Sequence, residues 1–135
     1  MVKIRKVEEK NLEEVLLENG YLVEKKEGIY FVKFKEFDAK AVMLEEGETL
    51  FVQVDLVGVD DLHNDVALYK KLLDLNTEIL PVSIAIDSTD KGNQRLVINE
   101  SLEIENLDEN ELLKVFDTID MSFGKIFNLL KEYKK

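Results

Sequence analysis

The chain offers few residues for chemistry. His63 is the only histidine among 135 residues, and there is no cysteine. A Ser-His-Asp arrangement would have to use His63. Disulfide, thiolate and zinc-finger chemistry are excluded. His63 stands in Asp60-Asp61-Leu62-His63-Asn64-Asp65, and imidazole and carboxylates are ligand types that metals accept. The spacing argues against a site, because Asp61 and His63 lie two apart and do not face each other on a helix. Acids at a helix start are accounted for by the helix dipole.

The run Asp87-Ser88-Thr89-Asp90-Lys91-Gly92-Asn93 has the outline of a calcium loop. Such a loop needs acids at its first, third and fifth positions and a bidentate Glu at the twelfth. Here those later positions hold Thr89, Lys91 and Ile98, so a hairpin turn is the better reading. The 6 glycines are scattered and form neither G-x-x-x-x-G-K-[ST] nor G-x-G-x-x-G, so no phosphate cradle is expected. The 29 acids allow many carboxylate pairs, but a pair without a pocket has no specificity. The expectation is a protein that is not an enzyme, with no catalytic residues, no cofactor and no metal.

Charge narrows the partners. The net charge is −11 with a pI near 4.6. That disfavours nucleic acid, whose phosphates need clustered Lys and Arg, and it disfavours anionic lipid surfaces. Apolar residues make up 45%, enough for a folded core. No apolar run approaches the roughly 20 residues that span a bilayer. The opening MVKIRKVEEKN has no apolar h-region, so the reading is a cytoplasmic protein that does not span a membrane.

These residues must be positioned by a small set of elements. In the closing stretch from Leu107 to Lys135, Leu112, Val115, Phe116, Ile119, Phe123, Ile126, Phe127 and Leu130 recur at steps of three and four, which predicts a long amphipathic helix. Asp108 with Glu111 reads as a capping box, and Leu107 with Leu112 as a staple. Asn11 to Asn19 predicts a short helix capped by Asn11 and closed by Gly20. Between Tyr21 and Val59 the period changes to two, with short turns at Lys26-Glu27-Gly28 and Glu46-Gly47-Glu48, which predicts an antiparallel meander. In its strongest strand, Leu50, Val52, Val54 and Leu56 share one face. Asp60 to Asn76 reads as a second helix capped by Asp60 or Asp61 and lined by Leu62, Val66, Tyr69, Leu72 and Leu73. Pro81 opens a strand in which Val82, Ile84 and Ile86 alternate, and Arg95 to Ile104 is the last strand. The fold class is α+β: residues 1–135 form one domain, an antiparallel five- to six-stranded sheet covered by helices in the order α-β(3–4)-α-β-β-α.

This element order, the small size, the acidity and the closing helix resemble type III secretion chaperones and the fold group that includes the YbjN-like proteins. The second half is similar to the uncharacterised bacterial YjfI family, through LYKKLLDLNTEILPVSIAI (Leu68 to Ile86) and LDENELLKVFDTIDMSFGKIFNLLKEY. The resemblance implies a non-enzymatic chaperone- or adaptor-like protein. The YjfI likeness implies a link to the membrane-stress response.

Apolar residues off the main stripes carry the remaining expectation. Leu113, Met121 and Leu129 lie beside the closing helix's stripe, and Ile29, Phe31 and Phe51 stand in the outward phase of their strands. Together they form the candidate surface for a two-fold homodimer or for a protein or peptide partner, a basic or amphipathic segment. The alternative is a small-molecule binder or small enzyme using carboxylates in a cleft. A deep acidic pocket would favour that alternative, and an open apolar patch the adaptor.

Overall fold

The computed structural model describes residues 12–135. The expected cap Asn11 and the rest of MVKIRKVEEKN lie outside the described residues. The order is α1 (Leu12–Glu18), β1 (Leu22–Lys26), β2 (Ile29–Lys33), β3 (Lys40–Glu46), β4 (Thr49–Gly58), α2 (Val66–Leu75), β5 (Ser83–Asp87), β6 (Arg95–Glu103) and α3 (Glu109–Glu132). The 6 strands make one sheet, ordered β1-β2-β3-β4-β6-β5, with every pair antiparallel. This is the expected α+β architecture, with four strands before the second helix.

Local chemistry explains the turns and ends. Glu27 and Gly28 both take positive φ, 53° and 81°, so a two-residue loop joins β1 to β2 with the twist the strands need. Gly20, at φ 91°, closes α1 as expected, and Tyr21 N donates to Leu16 O at 3.0 Å. Asp108 Oδ1 accepts from Glu111 N at 2.8 Å at the start of α3, and the staple residues Leu107 and Leu112 are buried. At 24 residues α3 is about 36 Å long.

Alternation along the strands sends Tyr30, Val32, Ala41, Met43, Leu50, Val52 and Val54 inward. They share one core cluster with Leu112, Val115, Phe116, Ile119, Phe123, Ile126 and Leu130 of α3. The long helix thus covers one face of the sheet, as expected. The ring of Phe116 lies 5.5 Å from Tyr21 and 6.0 Å from Phe34. The β2–β3 connection folds over the helix, where Phe37 stacks between Phe34 at 4.7 Å and Phe123 at 3.5 Å. Two carboxylates of α3 tie it down. Asp120, only 9% exposed, accepts from Glu36 N at 3.1 Å, and Asp117 accepts from Tyr21 OH at 2.5 Å. Asp120 sits inside the apolar stripe, and the backbone N–H meets its need for a partner.

Several sequence expectations are corrected. The second helix starts at Val66 and is capped by Asp65, whose side chain accepts from Ala67 N. Asp60 and Asp61 instead form a short 3-10 turn. The helix buries Leu68, Leu72 and Leu75, whereas Val66 and Leu73 are exposed. Asn76 ends α2 in the right-handed region, and its amide reaches across the chain reversal: Oδ1 accepts from Ile84 N at 2.7 Å. A bulge between Asp55 and Val57 breaks the phase of β4, leaving Leu56 and Val57 both half-buried. Ile86, at the end of edge strand β5, and Phe127, late in α3, are exposed rather than covered.

Candidate protein-binding surface

The residues that suggested chemistry do not converge. His63 lies in the extended link between the 3-10 turn and α2, and its N–H donates to Tyr133 O at 2.7 Å. Among the described residues, no group of three or more His, Asp or Glu side chains is arranged to hold a metal. The Asp87 run is the hairpin loop. Asp87 accepts from Thr89 N at 3.0 Å, and Asp90 accepts from Gly92 N at 3.2 Å. Hydrogen bonds from Thr89, reinforced by Gln53, hold the Asp87 carboxyl down at about 2.

What the fold does build is an open sheet face. The same alternation that sends Met43 and Val52 inward sends Val42, Leu44 and Phe51 outward, where they are 40%, 38% and 43% exposed. Strand register arranges this face in rows. One row runs Lys26, Ile29, Leu44, Phe51 and Ser101 across five strands. The next runs Glu24, Phe31, Val42, Gln53, Asn99 and Ser83. Apolar side chains therefore gather over β2, β3 and β4, and amides and hydroxyls follow over β6 and β5. Val97, in the same phase, is covered between Asp55 and Ala85. Arg95 holds Asp55 in a bidentate pair at 2.9 and 2.6 Å.

A hollow of about 280 Å³ on this face is lined by Phe51, Val52, Gln53, Ser83, Asn99, Glu100 and Ser101, so it carries a single acid. A larger one, about 530 Å³, follows the outer side of α2 and its C-terminal turn along Lys70, Lys71, Leu73, Asp74 and Thr77. The open apolar patch is thus the feature that matches the adaptor expectation. No described helix is long and apolar enough to cross a membrane.

The comparisons with known proteins fit this picture. The CesT_Tir_1 family model, which describes type III secretion chaperones, matches residues 5–135. The chain belongs to the CesT_Tir_1 family. Its fold is similar to a chain of the heterodimeric ExoU-SpcU complex from the type III secretion system of Pseudomonas aeruginosa, with a TM-score of 0.66 and 19% identity over 90% of this chain and 98% of that one. YbjN from E. coli is similar with a TM-score of 0.53 and 13% identity, covering 91% of this chain and 96% of that one. At these identities the likeness is one of fold. No curated protein matches the chain.

Within this chaperone-family fold, the candidate residues divide. Ile29, Phe31 and Phe51 come together on the open face through the register of β2, β3 and β4. Met121 is 85% exposed on α3, in the helical layer on the other side of the sheet. Leu113 and Leu129 are half-buried and pack against the core. The register adds Val42 and Leu44, which the sequence reading did not single out. Their signal was present: Ala41-Val42-Met43-Leu44 is apolar in both phases, so one phase had to face outward.

Proposed function

We propose that this chain is a non-enzymatic cytoplasmic chaperone or adaptor that holds a segment of a partner protein on the open sheet face. The observation that carries the reading is the apolar patch in which exposed Val42, Leu44 and Phe51 adjoin half-buried Ile29 and Phe31, contiguous through strand register rather than scattered singly. Family membership supports it, and the ExoU-SpcU structure is itself a heterodimeric complex. A segment with apolar side chains interleaved with Lys or Arg suits the patch, because the net charge of −11 steers basic partners toward the protein. A link of this holding activity to the membrane-stress response, expected from the likeness of the second half to YjfI proteins, is part of the proposal.

Photo-cross-linking in the native cell tests this. A cross-linking side chain at Val42 is expected to capture a defined protein other than the chain itself, and one at Met121 is not. Capture of that protein from Met121 alone, or from neither position, refutes the reading.

A further inference from the structure

Away from the open face, the end of α3, the end of β4 and the link that follows it enclose a small hollow of about 140 Å³. Its walls are Leu56, Val57, Leu62, Phe127 and Leu130, and its only charged lining residues are Lys131 and Lys134. The chain builds each wall for a local reason. The bulge between Asp55 and Val57 interrupts the alternation of β4, so Leu56 and Val57 are both half-buried and both reach the hollow. Leu62 is fixed by the pairing of its segment with the closing residues, where His63 N donates to Tyr133 O at 2.7 Å and Lys135 N donates to Asp61 O at 2.9 Å. Phe127 stacks on Phe123 at 5.0 Å yet stays 39% exposed, so an aromatic ring is left in water beside an apolar hollow.

Charge sets this hollow apart. In a chain of net charge −11 it is lined by two cations and no acid, whereas the hollows on the open face and along α2 include Glu100 and Asp74. Lys131 and Lys134 are exposed, and among the described residues neither ammonium has an ion-pair partner. Glu132, which lies between them in sequence, is turned to Lys71 at 4.0 Å. The negative end of the helix dipole favours cations at this position. The backbone here has no donor to spare for a ligand. The N–H groups of Leu62, His63, Lys134 and Lys135 donate to the carbonyl oxygens of Val59, Tyr133, Lys131 and Asp61. Any anion in the hollow must therefore be held by the two lysines.

We propose that this hollow binds a small free carboxylic acid, with a benzene-sized apolar end among Leu56, Leu62 and Phe127 and its carboxylate held by Lys131 and Lys134. Size sets the apolar end, because a cavity of about 150 Å³ lined by Leu, Ile and Phe takes up benzene. Charge sets the other end, because ammonium groups make charge-assisted hydrogen bonds to a carboxylate. A peptide terminus carries the same carboxylate, but its main chain would find no free N–H along the link or the closing residues. A free acid needs none. The site belongs to the helical side of the molecule, so it goes beyond the holding function and stands or falls without it.

Hydrocinnamate, a phenyl ring on a short chain that ends in a carboxylate, is the probe. Titrated into the full chain and followed by amide NMR shifts, it is expected to bind with a Kd of about 0.1–1 mM, as suits so small a ligand. It should move the signals of Leu62, Phe127 and Lys134 and leave those of Val42 and Leu44 unmoved. Its neutral amide, which keeps the ring, should bind about fivefold more weakly, and acetate, which lacks the ring, about tenfold or more. Lys131→Gln with Lys134→Gln, both exposed and so tolerated by the fold, should lower the acid to the affinity of the amide and leave the amide unchanged. Phe127→Ala should weaken acid and amide alike. Absence of binding up to about 10 mM overturns the proposal. So do shifts confined to the open face, and an affinity for hydrocinnamate indifferent to the double lysine variant. A tripeptide ending in phenylalanine that binds about tenfold more tightly than hydrocinnamate assigns the hollow to a peptide terminus and overturns the free acid.

Discussion

Truncating Phe116 to alanine tests the helix–sheet core most directly. The ring is fully buried between α3 and two aromatic rings of the sheet side, Tyr21 at 5.5 Å and Phe34 at 6.0 Å. Buried Phe→Ala changes cost about 3–5 kcal/mol, and the value rises where the walls hold the cavity open. These walls are held. Tyr21 is tied to Asp117 through its hydroxyl, and Phe34 is stacked on Phe37, which is itself stacked on Phe123. The expected loss is therefore about 4–5 kcal/mol, the upper half of that range. With a urea slope of about 1–3 kcal/mol per molar, the unfolding midpoint should fall by about 2 M. Domains of this size have total stabilities of about 5–15 kcal/mol, so the variant should remain folded in the cold. Met121→Ala, on the same helix but exposed, should change stability by less than about 0.5 kcal/mol. Parallel urea titrations followed by circular dichroism give both numbers. A loss below about 1 kcal/mol at Phe116, or equal losses at the two positions, would refute the packing of α3 on the sheet.

Three further outcomes follow from named contacts. Asp108→Ala removes the acceptor for Glu111 N and should cost about 1 kcal/mol in the same titration, with no change in the far-ultraviolet spectrum of the native state. Burial first, then the hydrogen bond to Asp117, raises the Tyr21 phenol above its ordinary value, so the native chain keeps a proton that the unfolded chain loses above about pH 10. That contribution is fully present below about pH 10 and is lost as pH rises further, so the advantage of wild type over Tyr21→Phe should shrink between about pH 9 and pH 11 in matched denaturations. Asp87 is the opposite case: hydrogen bonds from Thr89 lower it to about 2, so its contribution is present above its unfolded value of 3.8 and is lost as pH falls through about 2. Asp87→Asn should flatten the acid limb of the thermal stability curve over that window, and an unchanged limb would refute the contact.

Local periodicity and end chemistry decided much of this fold. The step from period two to period three-and-four marks α3, Asp108 marks its start, and Gly20 marks the end of α1, because caps and alternation depend on near neighbours in the chain. Turns as short as Glu27-Gly28 leave no room for a crossover, so the antiparallel meander was legible too. The scarcity of residues for chemistry was readable as well, since the chain has a lone histidine and no cysteine. What the sequence left open are choices made between distant residues. On α2, Val66-Tyr69-Leu73 and Leu68-Leu72-Leu75 both recur at helical steps, and only docking against the core selected the second. In β3 both phases of Ala41-Val42-Met43-Leu44 are apolar, so only the position of α3 determines that Val42 and Leu44 stay open. Asp120 reads as a surface acid until the β2–β3 connection brings Glu36 N to it. The bulge at Asp55 and Val57 is set by pairing with β6, some 40 residues away. The rows that gather Ile29, Leu44 and Phe51 on the open face belong wholly to strand register, which non-local pairing sets and no window of sequence contains.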